Sequence, residues 1–136
     1  MKKIIALIAL CLAVITTQAA LPAPIQEFVS SYNTEFAGKT EDGVKFGKAI
    51  TEGKNVIIPM HMDDSELTEM GYGLKDAIDM MGGEGVMEQV MLEAIFEDSD
   101  SDDLKMFKQH QYNIVIRMIG TSSKDVVNLT IHWQDL

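Results

Sequence analysis

Apolar and polar residues alternate most regularly near the end of the chain. In 111–119, Tyr112, Ile114, Ile116 and Met118 share one face; in 126–133, Val127, Leu129, Ile131 and Trp133 do the same. A period of two predicts strands, and "GTSSKD" (120–125) between them predicts a hairpin. An earlier pair, 44–50 and 55–62, also reads as two strands, joined by the turn "TEGKN". Pro59 falls inside the second of these. Proline cannot donate to a ladder, so its presence predicts an edge strand or a bulge.

Other segments repeat at helical spacing. In 21–37, Ile25, Phe28, Val29, Tyr32 and Phe36 fall on one stripe, with Pro22 and Pro24 suited to the entry and Gly38 to the exit. In 63–81 the stripe is Leu67, Met70, Leu74, Ile78 and Met81. Asp63 with Glu66, or Ser65 alone, can cap its first turn. Gly71 and Gly73 weaken its middle and predict a kink at "GYG", and "GGEG" (82–85) ends it. The third helix, 86–97, carries more apolar residues than one stripe holds: Val86, Met87, Val90, Met91, Leu92, Ala94, Ile95 and Phe96. Such a helix is either sandwiched in the fold or partly turned to a partner. "DSDSDD" (98–103) reads as a loop, and 104–109 as one or two helical turns.

The resulting order is α-β-β-α-α-β-β. It predicts an α+β fold: a four-stranded, mainly antiparallel sheet of two hairpins with helices packed on one side.

The opening segment changes the setting. Lys2 and Lys3 precede an apolar run, Ile4 to Ile15, and Thr17-Gln18-Ala19 offers small residues for a signal peptidase. This is the pattern of a secretory signal peptide over 1–19, followed by a single domain over 20–136. The run is short of the roughly 20 residues that span a bilayer, so no membrane insertion is expected after cleavage. A two-lysine start and short apolar run suit bacterial export, to the periplasm or the medium. The single cysteine, Cys11, leaves with this segment, so the exported domain is held by packing without disulfides.

Charge is distributed unevenly. Loss of Lys2 and Lys3 takes the formal net charge from −10 to −12. Between Asp63 and Asp103 there are fourteen acidic residues and one basic residue, Lys75, whereas the rest of the exported chain is nearly neutral. That field excludes nucleic acid and anionic headgroups as partners and favours a basic protein surface in the cell envelope. A solvated helical face that maintains solubility accounts for the same charges.

Three stretches invite metal chemistry. In "PMHMDD" (59–64), Met60, His61 and Met62 resemble the methionine and histidine clusters of periplasmic copper carriers. Thioethers suit Cu(I), but on a strand Met60 and Met62 share one face, about 7 Å apart, and His61 points away. A copper site would therefore need a third ligand, with His110 and His132 as candidates; buried core methionines on the strand are the simpler explanation of the pattern. In "IHW" (131–133), alternation separates His132 from Trp133 and sets Trp133 on the core face. The acidic run from Asp98 begins like a calcium loop, yet Asp103 and Gln109 stand where an EF-hand needs glycine and glutamate.

No template for catalysis emerges: there is no G-x-S-x-G, S-x-x-K or H-E-x-x-H, and "GYGLKD" and "GGEG" lack the rest of a nucleotide loop. The expectation is an exported binding, adaptor or inhibitor-like protein without a cofactor. Its contact would comprise Glu66, Glu69, Asp76, Asp79, Glu84, Glu88, Met87 and Met91; a homodimer is a further expectation. The rivals are a copper carrier using Met60 and Met62, a hydrolase of unusual type, which would show a deep polar cleft with two carboxylates or a histidine–carboxylate pair, and a small-ligand carrier. The last would show an apolar cavity between sheet and helices.

Overall fold

The computed structural model describes residues 21–98 and 101–136; the signal peptide expected over 1–19 and the middle of the acidic run, Ser99 and Asp100, lie outside the described residues. The elements, in chain order, are α1 (Ala23–Glu35), β1 (Thr40–Glu41), β2 (Val44–Phe46), β3 (Ile50–Glu52), β4 (Asn55–Met62), α2 (Ser65–Glu69), α3 (Leu74–Met80), α4 (Glu84–Asp98), α5 (Ser101–Gln109), β5 (Asn113–Gly120) and β6 (Val126–Ile131). A 3-10 turn, Trp133–Asp135, follows.

The fold is mixed α+β, with one six-stranded sheet rather than the four strands expected. Its order is β1-β2-β4-β5-β6, and β3 shares with β2 the edge of β4 opposite β5. Three antiparallel hairpins are present, β1–β2, β3–β4 and β5–β6. The last two join through a parallel pairing, Asn55 to Met62 against Asn113 to Gly120. The four helices α2 to α5 occupy that crossover, as a parallel connection requires.

The extra strands have a local cause. Phe46 pairs with Met60, but Ile50 pairs with Ile57, so this edge spends one residue more than β4 does. The surplus is a bulge that splits the expected 44–50 strand into β2 and β3. At the bulge, Ala49 turns its backbone away from β4. Its N–H donates to Asn33 Oδ1 at 2.7 Å, and its carbonyl accepts from Asn33 Nδ2 at 3.3 Å. The side-chain amide of α1 thus stands in for a missing strand partner. Pro59 lies opposite this break, its carbonyl accepting from Gly47 N–H at 2.8 Å. A proline is therefore tolerated inside β4, which is not an edge strand, because its missing donor falls where the neighbouring ladder is interrupted.

One sheet face carries the core. Val56 and Ile58 of β4, Ile114, Ile116 and Met118 of β5, and Val127, Leu129 and Ile131 of β6 meet Ile25 of α1, Leu74 and Ile78 of α3, and Phe107 of α5. Each such fully buried aliphatic side chain contributes roughly 1.5–3 kcal/mol relative to exposure. Trp133 does not join them. The strand ends at Ile131, and the Trp133 N–H donates instead to Asn113 Oδ1 at 3.0 Å. The helix expected over 63–81 is two helices, broken at Met70 to Gly73, with Gly71 at φ 86°. The short turn expected over 104–109 begins three residues earlier as α5, so Asp102 and Asp103 are helical rather than part of a loop.

Candidate partner-binding surface

The helical layer is fixed to the sheet by a buried carboxylate. Asp64, at the junction of β4 and α2, is 3 % exposed. Its Oδ1 accepts from Ser122 N–H at 2.9 Å and Ser123 N–H at 3.2 Å, and its Oδ2 accepts from the Ser123 hydroxyl. The hydroxyl and then the backbone donors hold its carboxyl below the usual carboxylate range, against the opposing effect of burial. The loop so anchored presents Asp125, whose Oδ2 accepts from Lys75 N–H at 3.1 Å in the first turn of α3. Asp76 closes that turn by accepting from Gly73 N–H at 2.9 Å. Two glycines make the room: a Cβ on Gly120 would collide with the Asp64 carboxylate, and one on Gly73 with that of Asp125.

On this frame α2, α3 and α4 display their outer positions. Glu66, Glu69, Asp76, Asp79 and Glu84 are exposed, as a contact surface requires. Glu88 is half-buried, and its Oε1 accepts from Thr130 N–H at 3.3 Å, satisfying a donor on the outer edge of β6. Met87 and Met91 also turn inward, packing against the core with Leu92 and Ile95. The surplus apolar residues of α4 thus belong to a second stripe. Val86 is 48 % and Val90 51 % exposed, one turn apart on α4, and Met80 at 64 % and Met81 at 54 % end the preceding helix. Of the ten large hydrophobic residues exposed among those described, seven lie between Met70 and Phe96. Their concentration in this acidic layer, rather than their number, sets the region apart. The period of α4 signalled this second stripe; which of the two was inner depended on where the sheet lay.

The methionine and histidine candidates are not brought together. Met60 and Met62 lie on the core face, opposite Met118 and Gly120. His110 and His132 flank the other end of the sheet, where Ile114 pairs with Ile131. From Ile114 to Met118 the strand alone covers about 13 Å. His61 shares the opposite face with Lys45 and Ile119, its partners in register. Among the described residues no three histidine, cysteine, aspartate or glutamate side chains are grouped to hold a metal ion.

No helix among the described residues is long and apolar enough to cross a membrane. The fold is similar to that of a Pseudomonas aeruginosa protein described as secreted: the TM-score is 0.54 at 6 % identity, over 81 % of this chain and 87 % of that one. The chain is also similar to the type II secretion system pilotin AspS from Vibrio cholerae, with a TM-score of 0.47 at 14 % identity, over 81 % of this chain and 86 % of that one. No family model matches the chain, and no curated protein matches it. At 6 % identity the likeness to the Pseudomonas aeruginosa protein is one of fold.

Proposed function

We propose that this is an exported protein of the bacterial envelope that acts by binding a basic protein partner through its α2–α4 layer, not by catalysis. The observation that carries the reading is the outward apolar stripe of Met80, Met81, Val86 and Val90 set among Asp79, Glu84 and Glu93, all exposed. Removing such a stripe from water supplies affinity. Carboxylates around it steer a cationic partner and reject anionic ones. The residues expected to make the contact are therefore revised: Glu66, Glu69, Asp76, Asp79 and Glu84 remain in it, while Met87, Met91 and Glu88 support it from within.

The test is capture from envelope extract on immobilised protein, at low and at high salt, beside a Val86→Asp/Val90→Asp variant. A partner retained at low salt and lost by the variant supports the reading. Capture of nothing, or of proteins that the variant holds equally well, removes it.

A further inference from the structure

A groove lies away from this layer, between α1 and α5, with a volume of about 630 Å³. That is within the roughly 300–1,000 Å³ of small-ligand sites. Its chemistry follows from the helical period of α1. Phe28, Tyr32 and Phe36 stand at successive turns and form an aromatic wall; Glu27, Ser31 and Glu35 form a polar row one residue behind them. Met106 of α5 and Ile58 of the sheet supply further apolar surface, and Asp103 of α5 adds a third carboxylate to the lining. The aromatic wall is ordered: Phe28 meets Phe107 edge-on at 4.8 Å between centroids, and Tyr32 lies 5.4 Å from Phe36. The Tyr32 hydroxyl is buried without a hydrogen-bond partner, so the residue offers the groove its ring. Among the described residues no lysine, arginine or histidine lines the groove, although the chain outside 63–103 carries more basic than acidic residues.

An aromatic wall beside a row of carboxylates is complementary to one ligand chemistry: ammonium groups separated by methylene chains. We infer that the groove binds a linear aliphatic polyamine. Glu27 and Glu35 are two helical turns apart, about 12 Å along α1, a separation that the terminal ammonium groups of an extended triamine can span. Its methylenes lie along Phe28, Tyr32 and Phe36, and its ammonium groups gain from the ring faces as well as from the carboxylates. Single exposed ion pairs contribute little. Selectivity therefore comes from meeting both α1 glutamates at once with the chain laid over the rings. A monoamine of similar length meets only one of the two, and a compact dication reaches only one of the two.

This inference is independent of the proposed partner surface, and either can fail alone. The experiment is calorimetric titration of the purified protein with spermidine, n-octylamine and Mg²⁺. The variants are Glu27→Gln/Glu35→Gln and, as a control for overall charge, the exposed pair Glu41→Gln/Glu52→Gln; circular dichroism checks that both are folded. Saturable one-to-one binding of spermidine is expected, at least tenfold tighter than n-octylamine or Mg²⁺. It should weaken at least tenfold in the α1 variant and less than twofold in the control. Absence of binding, equal weakening in both variants, or equal binding of Mg²⁺ overturns the assignment. So does binding of oligolysine in place of spermidine, which would make the groove a site for a protein segment.

Discussion

Asn33 performs a role that a strand normally performs. Its amide pairs with both backbone groups of Ala49, and Ala49 is 2 % exposed, so water cannot replace the bonds. Each buried group left without a partner costs about 1–3 kcal/mol. Asn33→Ala is expected to lower the unfolding free energy in urea by about 2–4 kcal/mol. An unchanged midpoint would mean that the bulge is not held in this way. Asp64 makes a pH prediction of definite sign. Its folded pKa lies below the ordinary value, so the unfolded chain takes up the proton first. The stability it lends is complete above the unfolded pKa of about 3.9 and is lost as pH falls through the lower folded value. Amide exchange at Ser122 and Ser123 should therefore accelerate below about pH 4 relative to the rest of the sheet. In Asp64→Asn it should already be fast at neutral pH and show no such step.

The elements show where alternation and helical period are sufficient and where they are not. The regular face of Ile114, Ile116 and Met118 identified β5, and Gly71 located the break between α2 and α3. Parallel pairing of β4 with β5 was not legible, because a strand buried on one face alternates identically beside a parallel or an antiparallel neighbour. The bulge was equally hidden. Its partner, Asn33, lies sixteen residues away in another element, and an asparagine in a helix carries no local sign of that use. Trp133 kept the alternation in sequence after the chain had left the sheet. For α4 the two stripes make opposite predictions. Met87→Ala/Met91→Ala should destabilise by about 2 kcal/mol or more, whereas Val86→Ala/Val90→Ala should stay within about 0.5 kcal/mol. Chemical denaturation of the two variants distinguishes them, and a reversed order would place the wrong stripe inside.

The molecule as a whole separates its charges by layer. The α2–α4 layer has Lys75 as its single cation. The sheet face away from the core carries Lys45, His61 and Arg117 at neighbouring register positions, with Arg117 Nε donating to Asn128 Oδ1 at 3.0 Å. That face also exposes Ile50 at 42 % and Val126 at 46 %, so it is the natural competitor for the role of contact surface. Site-specific photo-crosslinking in the producing cell decides between them most directly, with the reactive group placed in turn at Met81, Val86 and Val90, and at Ile50 and Val126. A discrete adduct with one basic protein from the first three positions, and none from the last two, is the predicted result. Adducts from Ile50 or Val126, with the helical positions silent, would contradict the account.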